Sequence, residues 1–74
     1  MVDASRKSVD EILCELGYDK PIRRGIIFVI EDGNVFMRFN EKTNMYEAWT
    51  LGAFSPEVWS ADPDEFAVKL LELV

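Results

Sequence analysis

Residues 22–51 decide the fold, and they read IRRGIIFVIEDGNVFMRFNEKTNMYEAWTL. Apolar side chains recur in this stretch with a period of two, and many of them are β-branched or aromatic, which is typical of β-strands. Asp32-Gly33 interrupts the pattern, and this dipeptide suits a type I′ hairpin turn. We therefore predict a hairpin with a two-residue loop at Asp32-Gly33.

A two-residue loop also sets the register of the hairpin. One face of the predicted hairpin is then wholly apolar, and we expect it to face the core. Its cross-strand pairs are Ile26–Phe39, Phe28–Met37 and Ile30–Val35. The opposite face carries the pairs Val29–Phe36 and Ile27–Arg38.

A third strand is predicted after the polar turn at residues 40–44. A four-residue loop over residues 41–44 places Glu47 opposite Arg38, whereas a five-residue loop would turn Glu47 into the core, which is costly. We expect the four-residue loop, with Phe36 opposite Trp49. The strand ends before Gly52, and residues 53–61 are predicted to be irregular or to contain a single helical turn at Ser55-Pro56.

Helical periodicity precedes the strand region. Ser8 and Glu11 fit the capping-box pattern, so a first helix is predicted to begin near Ser8, or one turn earlier at Asp3. Gly17 suits the left-handed residue that ends a helix, so we expect the helix to end near Leu16. Its predicted apolar stripe is Val9, Ile12, Leu13 and Leu16.

A second helix is predicted after the strands. Asp62 followed by Pro63 is a strong helix start, and the acidic residues Asp64 and Glu65 favour the positive end of the helix dipole. We expect this helix to run to the C-terminus. Its predicted apolar stripe is Phe66, Ala67, Leu70, Leu71 and Val74.

The predicted order is α-β-β-β-α, so we expect one α+β domain over residues 1–74, with a three-stranded antiparallel meander and both helices on one face. This order resembles that of the double-stranded RNA-binding domain. That family carries basic residues at the start of its second helix, where this chain has Asp62, Asp64 and Glu65. The sign of the charge therefore argues against direct nucleic-acid binding in that mode.

Length and composition narrow the class of protein. Seventy-four residues, 49% hydrophobic and 30% charged, suit one globular domain. No apolar run approaches the roughly 18 residues of a membrane helix, and the chain lacks the start of a secretory signal. With the single cysteine Cys14 excluding an internal disulfide, we expect a soluble, cytoplasmic protein that does not bind membranes.

The chain has no histidine, so the commonest general base and zinc ligand are absent. Cys14 lies beside the apolar stripe of the first helix, next to Glu15, and we expect a partly buried, inert thiol. Helix capping explains Asp62, Asp64 and Glu65 better than cation binding does. We predict no catalytic residues, no metal site and no cofactor.

The second apolar face of the sheet is the candidate binding surface. We expect it to contain Ile27, Val29, Phe36, Trp49 and Leu51, with Arg38 and Glu47 among them. Two helices on one side would leave this face exposed, and arginine mixed with aromatic residues is typical of interface hot spots. Alternatively, residues 53–61 fold over it and bury Phe54 or Trp59 against Trp49.

The net charge is −6, with seven acidic and two basic residues in 39–74. We expect a non-catalytic protein that binds a basic target, and its size and acidity resemble those of small phage-borne inhibitors, including anti-CRISPR proteins and DNA mimics. Phosphate mimicry would use Glu41, Glu47, Glu57, Asp62, Asp64 and Glu65.

Alternatively, the chain is an accessory subunit that dimerises or docks through the second apolar face. An enzyme, restricted to carboxylates, Tyr18 or Tyr46 and Cys14, is the third hypothesis. The basic cluster Lys20, Arg23 and Arg24 is expected to form surface ion pairs.

Overall fold

A computed structural model describes residues 7–18 and 21–74. In this part of the chain, five strands form one antiparallel sheet in sequential order. The expected three-stranded meander is therefore wrong, because one further strand lies at each edge. The elements are α1 (Val9–Glu15), β1 (Ile22–Arg24), β2 (Ile27–Ile30), β3 (Val35–Asn40), β4 (Met45–Thr50), β5 (Val58–Ser60) and α2 (Pro63–Leu73).

The first additional strand arises because the chain reverses at Gly25. Arg24 pairs with Ile27 across a two-residue loop, and Gly25 has a φ of 65°. Glycine at the first central position with positive φ is the pattern of a type II′ hairpin turn. Ile26 therefore lies in a turn with a fractional exposure of 63%, and its predicted core pairing with Phe39 is wrong.

The second additional strand, β5, lies in the segment that was expected to be irregular. Val58 pairs with Ala48, and the N–H of Glu57 donates to the carbonyl of Ala48 at 2.8 Å. Val58 and Trp59 are β-branched and aromatic, which suits a strand, although the strand is only three residues long. The predicted single helical turn at Ser55-Pro56 is replaced by a bend that leads into β5.

The register of the three central strands is confirmed. Strands β2 and β3 pair through Phe28–Met37, Val29–Phe36 and Ile30–Val35. Strands β3 and β4 pair through Phe36–Trp49, Met37–Ala48, Arg38–Glu47 and Phe39–Tyr46, across the predicted four-residue loop. Asp32 and Gly33 have positive φ, and the N–H of Asn34 donates to the carbonyl of Glu31 at 3.1 Å, as in a type I′ turn.

Both predicted helices are present. The N–H of Glu11 donates to the Ser8 hydroxyl at 3.3 Å, which caps α1. After α1, the N–H of Tyr18 bonds to the carbonyl of Leu13 at 2.9 Å, and Gly17 has a φ of 100°, which together form a Schellman ending. The alternative start at Asp3 lies outside the described residues.

The carboxylate of Asp62 caps α2 by accepting the N–H of Asp64 at 3.1 Å. Phe66 and Leu70 of α2 are buried, and Ala67 and Leu73 pack beside them. Leu71 and Val74 were expected in this stripe, but they are exposed. The buried face of α2 is therefore narrower than the sequence pattern suggested.

Both helices pack on the same face of the sheet, as predicted. Tyr46 is completely buried there, stacks on Phe66 with ring centroids 5.4 Å apart, and donates its hydroxyl hydrogen bond to the carbonyl of Lys7. This bond links the segment just before α1 to β4 in the sheet. The core consists of Val9, Ile12, Leu13, Phe28, Ile30, Val35, Met37, Tyr46, Ala48, Phe66 and Leu70.

Candidate functional site

The side chains on the sheet opposite the helices form a surface that we call the second face. The strand pairings align them in two rows, because paired residues share a face of a sheet. One row is Ile22, Val29, Phe36 and Trp49, and the other is Arg24, Ile27, Arg38, Glu47 and Trp59. The structure thus brings together six of the residues predicted for this face, together with Trp59, which now lies in β5.

Aromatic residues occupy the middle of the second face. The rings of Phe36 and Trp49 stack with centroids 6.1 Å apart and an interplanar angle of 14°. Val29, next to Phe36, is buried, whereas Trp59 at the β5 edge has a fractional exposure of 51%. Both tryptophans of the chain lie on this face, so tryptophan fluorescence reports on it.

An ion pair lies across β3 and β4 on the second face. Arg38 Nε donates to Glu47 Oε1 at 2.9 Å, and Asn40 Nδ2 donates to the other carboxylate oxygen at 3.4 Å. Only 12% of the Glu47 side chain is exposed, against 36% of Arg38. The carboxylate is therefore held and neutralised within the sheet, and the centre of the face carries no net charge.

The loop between β4 and β5 borders the second face. The Thr50 hydroxyl donates to the Glu57 carboxylate at 2.6 Å, and the N–H of Ala53 donates to the carbonyl of Thr50 at 3.0 Å. These bonds hold the loop at its base. Ala53, Phe54, Ser55 and Pro56 enclose a depression of about 280 Å³ with Ile27, Arg38 and Trp49.

Phe54 projects from this loop into solvent with a fractional exposure of 106%. The alternative in which residues 53–61 cover the face and bury Phe54 or Trp59 against Trp49 is therefore wrong. The loop lines one side of the depression and leaves its aromatic side chain outside. Monomeric proteins rarely leave a large aromatic side chain in this state beside other exposed apolar groups.

Leu51 does not belong to the second face. Its N–H donates to the carbonyl of Asn34 at 2.8 Å, and its exposed side chain borders a depression with Leu73 and Val74 at the end of the sheet. In contrast, Ile22 and Phe54 were missing from the predicted surface. Recognition of Gly25 as a turn residue would have placed Ile22 opposite Val29.

The acidic residues proposed as phosphate mimics are mostly engaged within the chain. Asp62 caps α2, Asp64 lies 3.6 Å from Lys7, and Glu65 lies 3.1 Å from Lys69. Glu57 and Glu47 accept the bonds described above, and Glu41 lies in the β3–β4 turn. These carboxylates lie on α2, the sheet and two loops, so they do not form one row.

Both edge strands of the sheet are short and are protected from pairing with another strand. Pro21, which has no N–H, precedes β1, and this three-residue strand carries Arg23 and Arg24. At the other edge, Lys69 Nζ donates to the carbonyl of Trp59 at 3.1 Å. Charged residues and proline at edges oppose pairing with another strand. A partner is therefore expected to approach a face of the sheet instead of its edge.

The remaining candidate residues lie elsewhere. Cys14 is exposed on α1, so the expected partly buried thiol is wrong. Arg23 lies over the Phe28 ring at 5.4 Å and donates to the carbonyl of Gly25 at 2.8 Å, which gives it a structural role. Among the described residues, neither Arg23 nor Arg24 forms an ion pair, and Lys20 lies outside those residues.

Within the described part of the chain, the pKa values of Tyr18 and Lys7 are shifted. The Tyr18 hydroxyl donates to the Glu31 carboxylate, and this hydrogen bond, with partial burial and the negative charge, raises the pKa of Tyr18. The hydrogen bond from Lys7 to Glu15, at 2.9 Å, raises the pKa of Lys7. Tyr18 also lines a depression with Ile22 and Val29 at the end of the sheet.

Within residues 7–18 and 21–74, no cluster of histidine, cysteine or carboxylate side chains could hold a metal ion. Neither described helix has the length and apolar character needed to cross a membrane. Comparisons with models of protein families, with curated proteins and with solved structures found no match.

Proposed function

We propose that this chain is a non-catalytic protein-binding module and that it contacts its partner through the second face. The observation that carries the proposal is the full exposure of Phe54 next to the depression at Trp49, on a sheet face against which neither helix packs. Burial of apolar surface is the main favourable contribution to protein association. An exposed aromatic surface of this kind gains free energy when a partner removes it from water.

The composition of the second face fits a protein partner. Aromatic residues and arginine are enriched at hot spots, and Trp49, Phe54 and Arg38 line one depression. The depression has a volume of about 280 Å³, which is enough to accept one inserted side chain.

The acidity of the chain indicates which kind of protein target it favours. A net charge of −6 attracts basic surfaces and repels nucleic acid. We therefore favour a basic protein target, as for the small phage-borne inhibitors of nucleic-acid-handling proteins that the chain resembles in size and charge. Most of the carboxylates proposed as phosphate mimics have partners within the chain. Their role is therefore long-range attraction of the target, while the apolar contacts supply most of the affinity.

Affinity capture from a lysate of the source organism tests the proposal with three baits. They are the wild type, Phe54→Asp on the second face, and Val68→Asp on the exposed side of α2. Both substitutions add the same charge at an exposed apolar position, so they differ mainly in location. The proposal predicts that bound proteins are lost with Phe54→Asp and retained with Val68→Asp.

The opposite pattern, or equal loss with both variants, contradicts a binding role for the second face. Repeating the capture at about 50 mM and about 500 mM salt measures the electrostatic contribution. A moderate decrease at high salt supports attraction by the acidic residues. Complete loss of binding, with no effect of Phe54→Asp, instead supports phosphate mimicry by the carboxylates.

A further inference from the structure

We infer that the second face binds a second copy of this chain and forms a twofold dimer. This inference rests on the proposed function in taking the second face as a protein-binding surface, and it names a second copy of the chain, in place of a basic target, as the occupant. Three properties of the surface support a second copy. They are the self-complementary shape, the placement of charge and the size of the available area.

The first property is a projection and a depression on one surface. Phe54 projects fully into solvent, and the depression beside it is lined by Ile27, Arg38 and Trp49. In a twofold dimer each contact occurs twice with the roles exchanged. Phe54 of each copy can therefore enter the depression of the other, where it would contact the Trp49 ring and the Arg38 guanidinium.

The second property is that the negative charge of the helices lies away from the second face. On the face, Arg38 and Glu47 neutralise each other and Arg24 of β1 adds one positive charge, while the exposed acidic residues of the helices lie on the opposite side. Those residues are Asp10, Glu11, Glu15, Asp64, Glu65 and Glu72. Stacked sheets lie about 10 Å apart, and a helix layer adds about 10 Å on each side. The helix layers of the two copies would then be about 30 Å apart, well beyond the Debye length of about 10 Å.

The third property is the area that the face can bury. A standard interface buries about 800 Å² per partner, which is about one sixth of the 5129 Å² surface of this chain. The five strands have three to six residues each, at about 3.3 Å per residue and about 4.8 Å between strands, so the sheet has a flat footprint of roughly 350 Å², to which side-chain relief and the β4–β5 loop add. The interface is thus smaller than the standard size, and we expect a weak dimer with a dissociation constant of about 100 μM.

Sedimentation equilibrium from about 1 μM to about 1 mM tests the dimer directly. The wild type should change from monomer to dimer over this range, with a shift of tryptophan fluorescence to shorter wavelength. Phe54→Asp should weaken the dimer at least about 30-fold, as expected for a hot spot, whereas Val68→Asp should leave it unchanged. Circular dichroism of both variants checks that each one is folded.

Salt separates the second copy from a basic partner. Two copies of charge −6 repel each other, so screening by salt should strengthen the dimer slightly, whereas it weakens binding to a basic target. A wild type that remains monomeric at about 1 mM overturns the dimer, but capture that still depends on Phe54 would leave the proposed function intact. A dimer that is lost with Val68→Asp and kept with Phe54→Asp would form through α2. That result overturns both the dimer through the second face and the proposed function.

Discussion

Replacement of two isoleucines by alanine should distinguish the two faces of the sheet. Ile30 faces the helices with a fractional exposure of 5%, and Ile22 lies on the second face with 56%. Both substitutions remove three carbon atoms, and burial of each is worth about 0.8 kcal/mol, so complete loss amounts to about 2.4 kcal/mol. Ile30→Ala also leaves a cavity, which raises the expected destabilisation to about 2–5 kcal/mol.

Ile22→Ala should destabilise the monomer by only about 1 kcal/mol, because less than half of the side chain is buried and no enclosed cavity forms. Urea unfolding followed by circular dichroism measures both free energies, at about 1 μM so that self-association does not contribute. Similar losses for the two variants would refute the reasoning. They would mean that the second face is covered within the monomer.

Further measurements test three local features. Gly25→Ala should destabilise the fold by about 1–2 kcal/mol in urea unfolding, because Gly25 has a φ of 65° that side chains with a Cβ adopt at a cost; no effect would contradict the β1–β2 turn. Asp62→Ala should lower the melting temperature through a loss of about 0.5–2 kcal/mol, and Asp62→Ser should restore most of it, since serine also caps helices. Because the pKa of Tyr18 is raised, its hydrogen bond to Glu31 stabilises the fold below about pH 10 and is lost as the pH rises through the folded-state pKa. Absorbance titration should show Tyr18 ionising later in the native than in the urea-unfolded chain, and Glu31→Gln should reduce the difference.

The central hairpin could be predicted because several local signals agree. Asp32-Gly33 restricts the turn between β2 and β3 and so their register, and the need to keep Glu47 out of the core sets the register of β3 with β4. The helix ends were predictable for the same reason, since capping residues and apolar stripes coincide. These are contacts between residues that are near in sequence or joined by a tight turn.

The two edge strands could not be predicted in the same way. Residues 22–30 contain apolar side chains on both sides of Gly25, so the turn is hidden within an apparently continuous strand. Strand β5 has only three residues, and its pairing with β4 depends on the path of the preceding loop. The second face was therefore predicted only in part, because some of its residues depend on these edge elements. Val29, Phe36 and Trp49 follow from the central register, whereas Ile22 depends on β1, and the exposure of Phe54 depends on the loop.

The central claim is that the second face binds a second copy of this chain. Amide and indole chemical shifts recorded over a concentration series test it most directly, because each signal reports its own location. The account predicts concentration-dependent shifts for the indole N–H groups of Trp49 and Trp59 and for the amide of Phe54, with constant signals from the exposed sides of α1 and α2. Shifts confined to the helices, or no shift at any position, would contradict it.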